Sequence, residues 1–203
     1  FEERLSKEFN TLGFFMSDHP LNQFKIFYEE FKIKNYSEFI LIKESKEANI
    51  AATVLKVQEK KTQKGNSYAI VKFSDLVSVF ELFIFSDIFE INRNILTEGN
   101  SLILTLSKNL SEENNRSKRI NIIKIASLND LVNIPVNEVK IILDNIDHLD
   151  MIDKMFKKNG KTNVNIIIKN NNQNLTFKLK HMKNIERKSL ETLKNKGISF
   201  IIN

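Results

Sequence analysis

The sequence of 203 residues contains no cysteine and no tryptophan, and only three histidines, His19, His148 and His181. Without cysteine there can be no disulfide framework, which fits the reducing cytoplasm, where we expect the protein to work. Zinc sites in proteins are built mainly from Cys and His side chains, and three scattered histidines do not supply such a set. The composition therefore argues against a disulfide-rich secreted module and against a zinc domain.

Long apolar runs are also missing. No stretch approaches the ~18 apolar residues of a membrane span, and no signal peptide is visible, so no membrane association is expected. The chain begins with Phe1 rather than Met, and we expect it to be part of a longer protein.

Motifs for catalysis are absent as well. The sequence has no phosphate-binding glycine loop, no dinucleotide-binding glycine motif and no nucleophile elbow. Asp144, Asp147, Asp150 and Asp153 recur every three residues at a predicted helix start. This spacing favours an interaction with the helix dipole over a metal site, because calcium loops need alternate oxygen ligands around a central glycine. We therefore predict no catalytic residue, no metal site and no cofactor within this chain.

The amino-acid composition is that of a folded protein, and its charged residues are unevenly distributed along the chain. Hydrophobic residues make up 41% of it, and the net charge is +6. Lys and Arg balance Asp and Glu over residues 51–107, whereas they exceed them by ten over residues 154–203. A basic excess favours an anionic partner. The charge of the balanced middle segment, residues 51–107, does not by itself indicate such a partner.

Hydrophobic periodicity divides the chain into three predicted blocks. Residues 1–46 have a helical pattern, with Leu21, Phe24, Tyr28 and Phe31 on one face, Gly13 as a break and Pro20 as a helix start. Residues 47–128 contain five short runs rich in β-branched and aromatic residues, separated by turn signals. The runs are Ile50–Val57, Tyr68–Phe73, Val79–Phe85, Leu102–Leu106 and Ile120–Ile125.

The order of elements in the middle block suggests its fold. Residues 86–99 follow the third run and suit one short helix closed by Gly99. Five strands with a helix after the third is the chain order of the OB-fold, a small Greek-key barrel that binds single-stranded nucleic acids.

The third block, residues 129–203, predicts two similar strand–helix–strand halves. We expect strands at Val139–Leu143 and Ile198–Ile202, a hairpin of Val164–Lys169 and Leu175–Leu179, and helices at Leu149–Asn159, stopped by Gly160, and Ile185–Lys196. The predicted fold is thus α+β and multidomain: an N-terminal helical segment, a five-stranded OB-fold β-barrel, and a small C-terminal βαββαβ domain.

An OB barrel binds single strands by stacking bases on exposed aromatics while nearby cations contact the phosphates. Alternation along the second run places Tyr68 and Lys72 on one face and Val71 and Phe73 on the other. In the third run, the polar Glu81 favours an outward face with Phe83 and Phe85, although Phe85 could equally belong to the core. The candidate nucleic-acid-binding residues are Lys60, Lys61, Lys64, Tyr68, Lys72, Phe83, Arg116, Lys118 and Arg119.

Two segments carry a resemblance to a known family. The stretch EFNTLGFFMSDHPLNQF, residues 8–24, resembles a segment of the alpha subunit of bacterial DNA polymerase III that lies just before its OB domain. Residues 50–85, with a basic turn and the strand AIVKFSD, are similar to that OB domain, and LTEGNSLIL, residues 96–104, continues the match. Ser78 departs from the pattern, since many members have glycine there.

The resemblance implies a function as well as a fold. The polymerase active site of the family, with its Mg²⁺, lies far upstream, so this chain is expected to be non-catalytic by itself. The expected partners are single-stranded template DNA, bound by residues 47–128, and the clamp-loader tau subunit, docked by residues 129–203 among other replicase subunits. Two alternatives stay open: a protein-docking tail whose barrel hardly binds DNA, and an RNA-reading OB module like the anticodon-binding domains of class II aminoacyl-tRNA synthetases.

Overall fold

The computed structural model describes residues 2–13, 15–42, 46–109, 119–144, 146–170 and 173–202. The chain divides into two compact units, Phe1–Asn129 and Asp130–Asn203. Each unit is built around its own β-sheet with helices beside it, which is consistent with the expected α+β class.

Unit 1 begins with helical segments and continues as a sheet. Its elements in chain order are α1 (Glu2–Leu12), a 3₁₀ helix (Pro20–Phe27), β1 (Ile33–Lys34), α2 (Tyr36–Leu41), β2 (Lys46–Lys61), β3 (Ser67–Ser74), β4 (Val79–Ile84), α3 (Ser86–Asn92), β5 (Ser101–Asn109) and β6 (Arg119–Ser127). Helix α4 (Leu128–Asn133) follows at the boundary between the units.

The sheet of unit 1 has the strand order β4-β3-β2-β5-β6, with the short β1 pairing parallel to β2. All other pairings in this sheet are antiparallel. Strands β4 and β6 approach each other, with Cα atoms within 8 Å. No ladder joins these two strands among the described residues, so the predicted closed barrel is not confirmed.

One face of this sheet forms the core of unit 1. Ile50, Val71, Phe73, Ile84 and Leu104 are fully buried in a cluster contributed by four of the strands. Because side chains alternate across a strand, the opposite face of β3 and β4 carries the outward residues. This alternation confirms the facing predicted for the second and third strands, and Phe85 proves to be exposed rather than part of the core.

The segment after α1 differs from the predicted α-helix. It is a 3₁₀ helix, and its buried apolar residues are Leu21, Phe24 and Phe27 rather than a set that includes Tyr28 and Phe31. A 3₁₀ helix has three residues per turn, so residues at i, i+3 and i+6 share a face. The 3₁₀ helix packs on β2, where Ala51, Thr53 and Leu55 are buried on the face opposite the core.

The helix after the third strand is shorter than predicted. Helix α3 ends at Asn92, and Gly99 lies seven residues beyond it, so Gly99 does not close the helix. Gly99 instead adopts a φ of 88° and donates its N–H to the Val54 carbonyl at 2.8 Å. It thereby forms the turn that leads into β5.

Unit 2 consists of β7 (Glu138–Leu143), α5 (Leu149–Met155), β8 (Lys157–Asn170), β9 (Gln173–Lys178), β10 (Lys183–Asn184), α6 (Arg187–Asn195) and β11 (Ser199–Ile202). The sheet order is β10-β8-β7-β11, and β9 pairs with the second half of β8. Strands β7 and β8 are parallel and flank α5 in the chain, as a strand–helix–strand unit requires.

One predicted boundary in unit 2 is wrong. Helix α5 ends at Met155, and Asn159 and Gly160 belong to β8 instead of the end of the helix. At Phe156 the backbone changes from a helical to an extended conformation, and the ring of Phe156 is buried in the core of unit 2. Gly160 is required for another reason: a Cβ there would lie 2.1 Å from the carbonyl oxygen of Lys183 on β10.

Among the described helices, none combines the length and the apolar character that crossing a lipid bilayer requires.

Candidate nucleic-acid interface

The outer face of unit 1 is the surface of β2, β3 and β4 that points away from the core. Cross-strand neighbours on this face are Lys60 and Tyr68, then Gln58, Ile70 and Phe83, then Lys56, Lys72 and Glu81. Since every second residue of a strand lies on one face, these rows follow one another along the sheet.

Aromatic rings form a continuous stripe on the outer face. The rings of Tyr68 and Phe83 stack with centroids 4.8 Å apart at an angle of 24°. The Phe85 ring meets the Phe83 ring edge to face at 4.9 Å. Phe83 and Phe85 are each 42% exposed, and Tyr68 is half-buried. We call Tyr68, Phe83 and Phe85 the aromatic stripe; it offers open π-surface of the kind on which nucleic-acid bases stack.

The lysines at the end of β2 are not equivalent. Lys60 lies opposite Tyr68 and therefore on the outer face, whereas Lys61, opposite Ser67, points to the other face. Lys64 lies in the turn between β2 and β3, where Thr62 accepts the Gly65 N–H at 2.9 Å. All three lysines are exposed. The structure thus brings Lys60 to the aromatic stripe, places Lys64 beyond its end and turns Lys61 away.

A second basic position lies at the other end of the stripe. Lys72 on β3 is exposed and pairs across the sheet with Lys56 on β2. Sequence reasoning missed Lys56, because the register of β2 shifts between Val54 and Lys56. This bulge puts Leu55 and Lys56 together opposite Lys72, and strict alternation would have turned Lys56 toward the core.

Two acidic residues of this region, Glu59 and Asp75, make their hydrogen bonds away from the outer face. Both Glu59 carboxylate oxygens accept hydrogen bonds from the Arg93 guanidinium, at 2.7 and 2.9 Å, which holds the pKa of Glu59 below its ordinary value. Asp75 is buried in the turn between β3 and β4. Of the acids, only Glu81 belongs to the rows of the outer face, against Lys56, Lys60 and Lys72. The face is therefore basic although its segment is neutral in sequence.

Three predicted site residues lie at or beyond the limits of the described structure. Arg116 and Lys118 fall outside the described residues. Arg119 begins β6, where its backbone pairs with Asn109.

Side chains within residues 8–24 hold this segment together through hydrogen bonds to its backbone. The Glu8 carboxylate accepts the N–H groups of Met16 and Ser17 at 3.1 and 3.0 Å, and the bonds from Ser17 hold the pKa of Glu8 below its ordinary value. His19 caps the 3₁₀ helix, since its Nδ1 accepts the Leu21 N–H at 3.2 Å. His19 is thus a structural partner at a helix start.

His19 also ties the segment to the sheet. Because Nδ1 accepts, the proton of the neutral ring is on Nε2, which donates to the Ser74 hydroxyl at 3.1 Å. That hydroxyl donates to the Asp75 carbonyl at 3.1 Å. Burial lowers the pKa of His19, against the opposing effect of Asp75 and Asp18, and so favours the neutral ring that this chain of bonds needs.

No family model matches the sequence. The chain is similar to the DNA polymerase III subunit alpha of Buchnera aphidicola subsp. Acyrthosiphon pisum (strain APS). The two are 24% identical over 175 residues, which is 82% of this chain and 15% of that protein. The chain thus spans about 15% of the length of the curated relative it matches. This similarity supports a distant relation to the polymerase subunit, without assigning the chain to a particular region of it.

Within the described part of the chain, no group of three or more His, Cys, Asp or Glu side chains could hold a metal ion. The outer face of unit 1 presents lysines and open aromatic rings, the groups that contact phosphates and bases in proteins that bind single strands.

Proposed function

We propose that unit 1 binds single-stranded DNA across its outer face, as part of a replicative DNA polymerase alpha subunit. In this proposal the chain corresponds to the C-terminal region of that subunit, and residues 47–128 act as its OB-type module. The observation that carries the proposal is the aromatic stripe, which has Lys60 beside Tyr68 on the neighbouring strand and Lys56 with Lys72 in the row beyond Phe83. The similarity to a DNA polymerase III subunit alpha supports the replicative context.

The chemistry of the face fits a flexible single strand. Bases stack on aromatic rings regardless of sequence, at about 1–3 kcal/mol per base, while lysines neutralise phosphates. A single strand can turn its bases toward the sheet and leave its phosphates at the lysine-bearing ends. We assign no catalytic step to the described residues; nucleotidyl transfer and its Mg²⁺ would belong to the rest of the polymerase.

Binding of a labelled oligothymidylate to the full chain, followed by fluorescence anisotropy, tests this proposal. Tyr68→Ala together with Phe83→Ala should weaken binding at least about tenfold, since two stacking platforms are lost. Phe177→Ala removes an exposed ring from unit 2 and serves as the matched control, with unchanged affinity. Equal affinity of wild type and the double variant would contradict stacking on the stripe. Preference for a ribo-oligonucleotide of the same sequence would favour the RNA-reading alternative.

A second function is favoured by a separate observation in unit 2. Strand β9 pairs only with β8 among the described residues, so its other edge is open. Its Leu175 and Phe177 lie opposite Ile168 and Ile166. Those isoleucines are buried, whereas Leu175 is 47% and Phe177 50% exposed. The core face of the sheet therefore continues onto an uncovered edge strand, where another chain can add a strand.

We propose that this edge docks the clamp-loader tau subunit. Lys178 and Lys180 beside the edge are exposed and favour an acidic and apolar segment as the bound part of tau. Leu175→Ser with Phe177→Ser should lower tau binding at least about tenfold while leaving DNA binding unchanged, because both apolar anchors are removed. Ile201→Ser on the opposite edge strand is the control. Unchanged binding of tau to the β9 variant would contradict docking at this edge.

A further inference from the structure

A pair of like charges lies side by side on the outer face. Lys56 and Lys72 are direct cross-strand neighbours, and both are exposed. Like charges directly opposite each other in a sheet destabilise it. Within the described residues, neither ammonium group has a carboxylate within 4 Å. On its other side Lys72 has Glu81 as its neighbour on β4, which offsets part of this repulsion. An anion between the two lysine side chains would relieve the repulsion that remains.

A depression adjoins the lysine pair. Its volume is about 320 Å³, and its lining consists of Phe9, Gly13, Leu55, Lys56, Lys72 and Glu98. The part formed by Phe9 and Leu55 is apolar, while the two lysines stand against one carboxylate. Glu81, the neighbour of Lys72 on β4, lies outside this lining. Within the lining the lysines exceed the carboxylates by one, which suits one phosphodiester, and the apolar part suits the sugar or base next to it.

The position of the lysine pair relates it to the aromatic stripe. Along β3, Lys72 is four residues from Tyr68, which corresponds to about 13 Å in a strand. Lys56 and Lys60 are separated by the same number of residues on β2. Two basic positions thus lie about 13 Å apart along the sheet, one level with Tyr68 and the other one row beyond Phe83.

We propose that the lysine pair and its depression form a phosphate site that holds one end of a single strand whose bases lie on the aromatic stripe. This inference rests on the proposed function, since it defines where the backbone of that same strand is held. Lys56 becomes a binding residue, and Glu98 restricts the site to a singly charged phosphodiester because it repels groups of higher negative charge.

The salt dependence of binding to the full chain distinguishes this site from the stripe. Each phosphate contact in a single strand contributes about −0.7 to the slope of log K against log salt concentration. Lys56→Ser with Lys72→Ser should therefore make the slope shallower by roughly 0.7–1.4 and weaken binding at low salt. Lys34→Ser with Lys124→Ser removes two exposed lysines elsewhere in unit 1 and should leave the slope unchanged. Tyr68→Ala with Phe83→Ala should lower the affinity and keep the slope.

Thermal unfolding supplies a readout that does not depend on DNA. At low salt and without oligonucleotide, the single variant Lys56→Ser should melt about 1–3 °C above wild type, because it removes the repulsion and keeps the Lys72–Glu81 pair. Adding oligothymidylate should raise the melting temperature of wild type more than that of the variant.

Each outcome decides between the two proposals. Wild-type binding that needs the stripe, but whose salt slope is the same in the lysine variant, would overturn the phosphate site and leave the proposed function standing. A wild-type chain that does not bind the oligonucleotide would overturn both. A shallower slope only in the lysine variant supports the phosphate site.

Discussion

The imidazole of His19 lies 3.1 Å from the hydroxyl of Ser74, a residue 55 positions later in the chain. This contact fastens the N-terminal segment to the end of β3, next to the turn that leads into β4. The adjacent Asp75 carboxylate extends the link, since it accepts the Tyr36 N–H at the start of α2 at 2.8 Å. The segment at residues 8–24 is therefore held against the strands that carry the outer face.

Substitution of His19 separates its two hydrogen bonds. His19→Ala removes the cap of the 3₁₀ helix and should lower the free energy of unfolding by about 1–2 kcal/mol. His19→Asn keeps a side-chain oxygen that can accept the Leu21 N–H and should retain most of the cap. Urea unfolding of both variants measures the difference. Equal stability of the alanine and asparagine variants would show that capping is not what His19 contributes.

The lowered pKa of His19 makes stability depend on pH. In the unfolded chain the His19 ring binds a proton near its ordinary pKa of 6.5. In the folded chain the pKa of His19 is lower, so the ring binds a proton only at lower pH. Stability is therefore full above this value and falls as pH drops from it through the lowered pKa. The carboxylates of Glu8 and Asp18 act in a separate window, because their pKa values lie below 4.5 and 3.8. His19→Asn should abolish the loss in the upper window only, and an unchanged upper window would contradict this assignment.

The Asp75 carboxylate accepts several hydrogen bonds in the turn between β3 and β4. Its Oδ1 accepts the N–H groups of Val77 and Ser78 at 2.8 and 2.5 Å and the Ser78 hydroxyl at 3.1 Å. Asp75→Ala leaves these donors and the Tyr36 N–H without their acceptor, and should cost at least about 3 kcal/mol of stability. Asp87→Ala, at an exposed residue of α3, is the control for urea unfolding. A cost below about 1 kcal/mol would mean that water replaces the carboxylate.

Gly160 permits the close approach of β8 and β10. A Cβ at this residue would lie 2.1 Å from the Lys183 oxygen and 2.2 Å from the Asn184 nitrogen, and both are backbone atoms that cannot swing aside. Gly160→Ala should therefore destabilise unit 2 by about 3 kcal/mol. Asn159→Ala at the exposed neighbouring residue should change the stability by less than about 0.5 kcal/mol. Similar thermal unfolding of the two variants would contradict the predicted clash.

The sequence predicted what alternation and turn chemistry control. Lys72 and Phe83 face outward as predicted, because side chains alternate with a period of two throughout β3 and β4. Helix α1 ends before Gly13 as predicted, because glycine tolerates the φ of 77° found there. The motif at residues 8–24 carried only a resemblance, and its contact with the sheet through His19 and Ser74 is seen only in the structure. Ser78 fits the turn because its own N–H and hydroxyl bind Asp75.

Tertiary contacts decided the remainder. The bulge after Val54 exposes Lys56, yet nothing in the local sequence distinguishes Leu55–Lys56 from a regular strand. From the sequence Gly160 is predicted to end a helix, because glycine ends many helices. In the structure it lies in β8, where a Cβ would clash with the backbone of the neighbouring β10. A 3₁₀ helix replaces the predicted α-helix at Pro20–Phe27, because packing on β2 selects which residues are buried. The pairing of Tyr68 with Phe83 across two strands likewise depends on register.

A tryptophan placed in the aromatic stripe tests the central claim most directly. The chain has no tryptophan, so Phe83→Trp supplies a single indole whose emission reports only this position. If bases stack on the stripe, an oligothymidylate should quench that emission with the same midpoint as the anisotropy titration. The control Phe177→Trp, on β9 of unit 2, should show no change. Saturable DNA binding without quenching in the Phe83→Trp variant, or with quenching in the Phe177→Trp variant instead, would contradict the proposed interface.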